Sequence, residues 1–231
     1  MDLQPNLGKN LTIEVSGKKY ARYPIRTHLI TPSDKDLAEI VKKYAYNYLK
    51  KGDIVFIGEK VVSIIQGRAY PIDAVKPSKL AQFLVRFVSK TPVGIGLGSP
   101  QTMQLAIEEV GVLRILVASF FAALTKPFGI KGMFYIIAGN KARGIDGAVE
   151  YAIPPYNSYV SKIPKEPQKT AQMISEKISY PVAIVDVCDR GSRVLGASRG
   201  VNKRLVARCL RDNPLCQSSE QTPIGIIREL D

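Results

Sequence analysis

The segment at residues 53–68, DIVFIGEKVVSIIQGR, constrains the fold most, because a short apolar run passes directly into polar side chains. Residues 54–57 are β-rich and apolar and have a glycine close on either side, which predicts a buried strand. Lys60, Ser63 and Arg68 follow where this strand ends. Ligands of α/β sheets commonly lie at strand ends, where Lys and Arg can offset the charge of phosphate oxygens. The segment therefore predicts a phosphate-binding site, and the alternative is an ordinary solvated strand end.

Three aspartates on two downstream loops are candidate metal ligands. Asp146 lies in the sequence GIDG after an expected strand, and Asp186 and Asp189 lie at the end of another. A divalent cation that binds phosphates prefers hard oxygen ligands, so carboxylates from separate loops are expected to converge on it. The alternative for Asp186 or Asp189 is a turn cap or an ion pair with Arg190. More remote candidates are Glu150 and Glu220.

Four segments, taken in order, resemble those of one enzyme family. GEKVVSIIQGR at 58–68 is similar to the pattern "QK-IVS-x-x-EGR", and the GIDG loop at 144–147 is similar to a Gly-Val-Asp loop. Residues 163–174 resemble an "LP-x-DP" stretch before a helix, and residues 181–196 resemble "VVVTDTFGRPWRVG". The family is that of the coenzyme F-420-0:L-glutamate ligases, the γ-glutamyl ligases that add glutamate to the deazaflavin precursor.

The resemblance implies an irregular mixed α+β fold in an intertwined homodimer, and an enzyme that forms an amide. In that family GTP phosphorylates a carboxylate acceptor, and the amine of glutamate attacks the acyl phosphate. Lys60 and Arg68 would then be catalytic and, together with Ser63, would bind GTP. The three candidate aspartates would hold Mg²⁺ or Mn²⁺.

Two loops depart from the family pattern. Pro-Pro-Tyr at 154–156 replaces "SNVGPGG", and DVCDRGSR at 186–193 lacks both aromatic residues of "DTFGRPWR". Because such loops would contact the substrate, the identity of the acceptor carboxylate stays open.

Composition is that of a globular enzyme. The chain has 231 residues, 45% apolar and 23% charged, so we expect one domain over residues 1–231, built as one or two lobes. Helices and strands alternate without a steady βαβ repeat, which favours α+β.

We expect no secretory signal and no membrane partner. The beginning lacks the pattern of a secretory signal, and the apolar run at 110–139 is broken by charges, so we expect this run to be a core segment. Three cysteines are too few for a metal cage and indicate packing in a reducing cytoplasm.

The net charge of +13 attracts polyanions of any kind. The densest basic segment, residues 199–211, has the spacing of an amphipathic helix that ends before Asn213 and Pro214. A solvated helix face, a phosphate-facing rim and a nucleic-acid surface are the three interpretations. No aromatic residues alternate with these Lys and Arg residues, which argues against nucleic acid. A non-catalytic nucleotide- or nucleic-acid-binding protein with the ligase fold is the alternative function.

The remaining pattern predicts several elements. His28 has no second histidine and no close acidic neighbour, so we expect a packed or surface histidine. The glycine-rich PVGIGLGSP at 92–100 is either a phosphate-binding loop or a tight turn. Periodicity and turn residues predict strands at 11–15, 133–138 and 182–187, and helices at 35–50 (capped by Ser33-Asp34), 77–88, 101–110 and 169–179.

Overall fold

The computed structural model describes residues 3–88, 96–130, 132–189, 191–216 and 218–230. The chain divides into two compact units. Unit 1 comprises Met1–Gly67 and Pro164–Asp231, and unit 2 comprises Arg68–Ile163. Residues 92–95 of the glycine-rich segment lie outside the described residues, so its predicted phosphate-binding loop stays a prediction.

Strands and helices are numbered in chain order. The strands are β1 (Thr12–Val15), β2 (Lys18–Ile25), β3 (Ile54–Gly58), β4 (Ala69–Pro71), β5 (Tyr159–Ser161), β6 (Val182–Cys188), β7 (Gly191–Ala197) and β8 (Ile224–Leu230). The α-helices are α1 (Leu37–Tyr44), α2 (Glu59–Ile65), α3 (Lys79–Leu84), α4 (Pro100–Val110), α5 (Val112–Thr125), α6 (Met133–Ala138), α7 (Asn140–Arg143), α8 (Pro167–Ile178) and α9 (Lys203–Cys209).

Unit 1 is built on a six-stranded mixed sheet in the order β1-β2-β8-β3-β6-β7. Strands β3 and β6 are parallel and pair Gly58 with Val185, whereas β8 is antiparallel to both β2 and β3. Strands β2, β3 and β6 therefore run in the same direction and end at one edge of the sheet. We call this edge, at Ile25, Gly58 and Cys188, the carboxyl edge.

Both faces of this sheet are covered, because successive side chains of a strand point to opposite faces. Helices α1, α2 and α8 pack on one face, which includes Ile57 and Ile184. Helix α9 packs on the other, which includes Phe56 and Val185. Cys209 is buried in this second layer, and burial raises the pKa of its thiol to about 11, as expected for a packing cysteine.

Several predicted elements of unit 1 are confirmed, with adjusted ends. The apolar run at 54–57 is β3, and the predicted helix at 169–179 is α8. The predicted helix at 35–50 is shorter, because α1 ends at Tyr44 and a 3₁₀ turn follows. Its predicted cap at Ser33-Asp34 is wrong: those residues form a separate 3₁₀ turn, and the Asp36 carboxylate accepts the hydrogen bond from the N–H of Ala38.

Unit 2 consists of helices α3 to α7 and the two-stranded sheet of β4 and β5. The predicted helix at 101–110 is α4, capped by Ser99, and that at 77–88 is α3 followed by a 3₁₀ turn. The predicted strand at 133–138 is wrong, because these residues form α6. A short apolar run does not distinguish strand from helix, and the positive φ of Gly132 and Gly139 bounds a single short helix here.

The apolar run at 110–139 is not the buried segment that its sequence predicts. Helix α5 buries Ile115 and Ala118, while Leu113 and Phe120 are 76% and 61% exposed and Phe128, just beyond it, is 81% exposed. Such a contiguous apolar surface is typical of an interaction site. Among the described residues, every helix is too short or too polar to span a bilayer.

Candidate functional site

The carboxyl edge of unit 1 brings Lys60 and Asp186 to neighbouring positions. Strands β3 and β6 are adjacent and parallel, and Gly58 pairs with Val185. Lys60 lies two residues beyond Gly58, in the first turn of α2, and Asp186 directly follows Val185. Adjacent strands are about 4.8 Å apart, so both residues lie within one small region. The predicted strand ends before Lys60 and at Asp186 thus lie side by side, while the role of these residues stays a prediction.

Asp186 and helix α2 also share one face of the sheet. Ile184, two residues before Asp186, packs in the same cluster as Val62 of α2. Because side chains alternate along a strand, Asp186 points to that face. Open sheets commonly bind ligands in the crevice beyond the carboxyl ends of parallel strands, and this is such a place.

The carboxylate of Asp186 is held by Arg193 across the β6–β7 pair. The Arg193 guanidinium donates through Nε at 3.1 Å and through Nη2 at 2.6 Å, both to Oδ2 of Asp186. The two residues are direct cross-strand partners. They line a groove of about 290 Å³ together with Cys188, Gly191 and Ser192. The charge of Arg193 is therefore balanced by Asp186 in this groove, so the guanidinium would meet a phosphate only in place of this carboxylate.

Asp189 has different partners at the same edge. Its carboxylate accepts a hydrogen bond from Nδ2 of Asn213 at 3.1 Å and forms an ion pair with Lys9 at 3.4 Å. The hydrogen bond from Asn213 lowers the pKa of Asp189, against the effect of partial burial, and Lys9 adds to the lowering. Its side chain is 72% exposed. Arg190, the partner considered from sequence, lies outside the described residues.

Ser63 lies in the core rather than at an open surface. It is 1% exposed and follows Val62, which packs in the helix-covered face of the sheet. Its assignment to nucleotide binding stays a prediction, and the structure places the hydroxyl inside unit 1.

Arg68 and Asp146 belong to unit 2. The Arg68 guanidinium donates from Nε to the carbonyl oxygen of Ile163 at 2.7 Å and from Nη2 to Glu109 at 2.7 Å. The side chains of this ion pair are only 7% and 13% exposed. Arg68 therefore links β4 to α4 inside unit 2, a structural contact that the sequence did not indicate.

The backbone of Asp146 pairs with that of Ser161 in an isolated antiparallel bridge. The two hydrogen bonds measure 2.9 and 3.0 Å. Ser161 also pairs with Ala69 of β4, so the GIDG loop adds to the small sheet of unit 2. Asp146 thus follows helix α7 rather than the predicted strand, and the role of its carboxylate stays a prediction.

The described part of the chain contains no preformed cluster of metal-binding side chains. Within this part, no group of three or more His, Cys, Asp or Glu side chains is placed to hold an ion. Asp186 and Asp189 each face a basic partner, Arg193 or Lys9, instead of another carboxylate. Asp186 and Asp189 are thus ion-pair partners in this structure, and the assignment of the three aspartates as metal ligands stays a prediction.

A cluster missed by the sequence analysis lies at the same edge. Nε2 of His28 is 2.6 Å from Oδ1 of Asp34, and Nδ1 of His28 is 2.9 Å from the hydroxyl of Tyr44. No acidic residue is close to His28 in sequence, but the 3₁₀ turn Pro32–Asp34 folds the carboxylate of Asp34 back onto the histidine, which is partly exposed as expected. A proline-led turn with an acidic residue soon after a histidine was the available signal.

Asp34 is held in its charged form. Burial works to raise the pKa of this carboxyl, but the hydrogen bonds from the N–H of Thr31 and from His28 outweigh burial and lower it. The carboxylate of Asp34 is therefore an acceptor at neutral pH.

The basic segment lies on the other face of the sheet. Helix α9 packs Val206 and Cys209 against the face opposite to α2 and exposes Lys203, Arg204 and Arg208. This placement favours the solvated-face interpretation over a phosphate-facing rim near Asp186. The helix itself is shorter than predicted and ends at Cys209.

Known protein families provide a comparison for the stretch that contains the predicted site residues. Residues 24–190 match the model of the family described as F420-0:gamma-glutamyl ligase. The matched span is well over half of the chain and contains every predicted site residue from Lys60 to Asp189. A search of curated proteins found no match. The family suggested by the four sequence segments is therefore confirmed, and this chain belongs to the F420-0:gamma-glutamyl ligase family.

Proposed function

We propose that this protein is a GTP-dependent amide ligase that joins glutamate, or a related amino acid, to a carboxylate acceptor. The observation that carries the proposal is the parallel pairing of β3 and β6, because it sets Lys60 beside Asp186 at the carboxyl edge. Membership of the family supports amide ligation. GTP, the acyl phosphate and the acceptor, with F420-0 as the first candidate, are parts of the proposal.

The reaction has two steps in which atoms and charges balance. An oxygen of the acceptor carboxylate bonds to the γ-phosphorus of GTP, the bond to the β-phosphate oxygen breaks, and GDP leaves. Glutamate then gives up one proton from its ammonium group to a base, and the neutral nitrogen bonds to the acyl carbon. Inorganic phosphate leaves with the carbon–oxygen bond pair and takes up the second proton, which the nitrogen loses as the amide forms. No covalent bond to the protein is needed, so the protein contributes positioning and electrostatic stabilisation.

Lys60 is the residue to which we give the main role. Lys60 lies in the first turn of α2, just beyond the end of β3, where its ammonium would offset charge that develops on the transferring phosphoryl group. Arg193 would act beside it when a phosphate replaces the carboxylate of Asp186 as its partner. Arg68 would reach a phosphate only by leaving Glu109, so its catalytic assignment is the weaker of the two. Ser63 is buried, so it would contribute indirectly, by holding helix α2 in the position that presents Lys60.

GTP would arrive with Mg²⁺ or Mn²⁺, and Asp146, Asp186 and Asp189 are its proposed ligands. A cation bound to a triphosphate would lower the negative charge that the site must accept. Because these carboxylates form no cage alone, most of the ligands would come from phosphate oxygens and water.

The protein would act as a cytoplasmic homodimer, with the exposed apolar face of α5 against a second copy. Leu113, Phe120 and Phe128 are large, apolar and more than half exposed. Burying them would stabilise the dimer by about 25 cal/mol for each Å² of apolar surface removed from water.

A direct assay tests the ligase proposal. The protein is incubated with GTP, Mg²⁺ or Mn²⁺, glutamate and a panel of carboxylates that includes F420-0. We expect phosphate release that depends on the acceptor, and a product heavier by one glutamyl residue in mass spectra. Lack of any amide product across the panel would contradict the proposal.

Matched variants test the metal–nucleotide assignment. Asp186→Asn should weaken the binding of Mg²⁺–GTP in calorimetry and reduce its thermal stabilisation of the protein. Glu14→Gln, which neutralises an exposed carboxylate on β1, is the control and should bind as the parent does. Equal binding by both variants would place the nucleotide elsewhere.

The alternative, a nucleic-acid-binding protein, is favoured only by the charge of +13 and the exposed side chains of α9. Arg204→Glu combined with Arg208→Glu should leave GTP affinity within a few fold under the ligase proposal. Steeply salt-dependent DNA binding that this double variant abolishes would favour the alternative.

A further inference from the structure

We propose that Asp34, His28 and Tyr44 form a proton relay that removes a proton from the incoming amine of glutamate. The inference rests on the proposed ligase function and names the base that this function requires. It concerns a cluster at the carboxyl edge that is separate from Lys60 and Asp186 in sequence.

The hydrogen bonds of the cluster run in one line. His28 is the chain's single histidine, and both of its ring nitrogens are engaged, Nε2 with Asp34 at 2.6 Å and Nδ1 with Tyr44 at 2.9 Å. The rings of His28 and Tyr44 are 5.5 Å apart. The same order of acceptor, imidazole and hydroxyl occurs in hydrolase triads, in which a carboxylate orients the imidazole and the imidazole takes the hydroxyl proton.

The direction of proton transfer follows from Asp34. An ionised carboxylate can only accept hydrogen bonds, so Nε2 of His28 must carry the hydrogen of this contact. In the neutral ring Nδ1 is then the acceptor, and the Tyr44 hydroxyl donates to it. Tyr44 therefore has an oxygen lone pair available for a proton, while its own proton has a place to go.

The backbone places this cluster where a substrate would bind. His28 comes three residues after β2 ends, and β2 ends at the same edge as β3 and β6. Strands β2 and β3 are separated by β8 alone, so their ends are about 10 Å apart. The turn that carries Asp34 packs against α2, the helix of Lys60. The relay and Lys60 thus lie on opposite sides of one short stretch of the edge.

The surroundings suit a base that exchanges protons with water. The His28 side chain is 37% exposed and that of Asp34 is 18% exposed, so the ring can release its proton to solvent after each turnover. The neighbouring residue Lys43 places its ammonium 5.1 Å from the centre of the Tyr44 ring.

The chemistry of the second step requires such a base. The amine of glutamate is protonated at neutral pH and becomes a nucleophile only after it loses a proton. That proton would pass to the oxygen of Tyr44 as the hydroxyl proton passes to Nδ1 of His28. His28 then carries a positive charge beside Asp34, and the neutral amine attacks the acyl phosphate. Positioned bases of this kind contribute about 10²- to 10⁴-fold in rate.

Two nucleophiles distinguish the relay from a structural role. Wild type, Tyr44→Phe and His28→Gln are each assayed with F420-0, GTP and Mg²⁺, using either glutamate or hydroxylamine as the amine. Hydroxylamine is uncharged at neutral pH and needs no base. We expect the variants to lose about 10²-fold or more with glutamate and to stay within a few fold of wild type with hydroxylamine.

Each outcome decides the matter. Equal losses with both nucleophiles, or full glutamate activity in both variants, would overturn the relay. Failure of wild type with both amines would overturn the ligase proposal itself, which is a separate result. Tyr46→Phe, which removes an exposed hydroxyl two residues away, is the control and should match wild type.

A second measurement does not depend on activity. Because the chain has one histidine, the ¹⁵N spectrum of its ring gives a single pair of signals in the intact protein. We expect the neutral ring to carry its hydrogen on Nε2, and Asp34→Asn to shift the ring signals. A neutral ring with its hydrogen on Nδ1 would overturn the relay, since Tyr44 could then not donate to it.

Discussion

Unit 1 and unit 2 bury their apolar side chains in different ways. Unit 1 covers both faces of a six-stranded sheet with helices, so its edges remain for chemistry. Unit 2 packs short helices around one cluster and leaves the outer side chains of α5 exposed. The difference teaches that Lys60 and Asp186 at the carboxyl edge belong to a different unit from the proposed docking surface on α5, whereas Arg68 and Asp146 share its unit. The predictions below test this division.

The largest effect is expected for Arg68 in unit 2. Arg68→Met leaves the buried Glu109 with only the distant, exposed Lys141 as a cationic partner, and removing one partner of a buried pair costs about 3–5 kcal/mol. Hydrogen exchange should show lower protection in α4 and β4. Lys141→Met, which removes a 67% exposed partner of the same Glu109, is the control and should cost less than about 1 kcal/mol. A fully stable Arg68→Met protein without activity would instead make Arg68 a phosphate ligand.

The next effect concerns Lys60 in unit 1. Lys60→Met should keep the folded state, because the side chain is partly exposed at the start of α2. Ligase turnover should fall by about 10²-fold, which corresponds to about 2.7 kcal/mol in the activation free energy. The exposed Lys51, at the other end of β3, provides the control Lys51→Met. Unchanged turnover in the Lys60 variant would separate the carboxyl edge from the reaction.

The two units also differ in how well the sequence predicted them. In unit 1 the strands β3 and β6 and the helix α8 follow from apolar runs with clear turn residues at their ends. In unit 2 the run at 133–138 is a helix, since six apolar residues between glycines satisfy either period. Exposure of α5 could not be predicted, because hydropathy does not report whether an apolar helix is covered.

The positions of candidate site residues were predictable to the extent that they lie at strand ends. The sequence placed Lys60 and Asp186 at the ends of two strands, and the parallel register of β3 and β6 explains why both are at one edge, while their role stays a prediction. It did not reveal the contacts of Arg68 with Glu109 or of Asp186 with Arg193, because these contacts form only when separate helices and strands pack together in the folded chain. The partnership of His28 and Asp34 depends on a 3₁₀ turn that periodicity does not show.

A smaller effect is expected on the apolar face of unit 2. Phe120→Ser on α5 should weaken self-association by about 2 kcal/mol, a dissociation constant about 30-fold higher, if Phe120 lies within a dimer interface. Analytical ultracentrifugation over a range of concentrations measures this. Leu7→Ser in unit 1, where the side chain is 98% exposed, is the control and should not change association. A wild type that stays monomeric at high concentration would remove the second copy as the occupant of this face.

The smallest effect concerns the acid sensitivity of unit 2. Burial works to raise the pKa of Glu108, but hydrogen bonds from Lys162 and Gln104 outweigh it and lower the pKa. A lowered folded-state pKa contributes stability above the unfolded value of about 4.3, and this contribution is lost as pH falls through the lower folded-state value. Because Glu108 is 44% exposed, solvent screening keeps the contribution below about 1 kcal/mol.

Glu108→Gln should therefore lower the free energy of unfolding of unit 2 slightly at about pH 7, and this effect should disappear as the pH falls below the lowered folded-state pKa, where the carboxyl of the parent is also neutral. Hydrogen exchange at α4 and β5 in unit 2, with the sheet of unit 1 as internal reference, measures the difference. High salt should reduce the effect at neutral pH. An equal change of hydrogen exchange in the sheet of unit 1 would mean that the two units unfold together. The division would then describe how the chain packs, but the two units would not unfold independently.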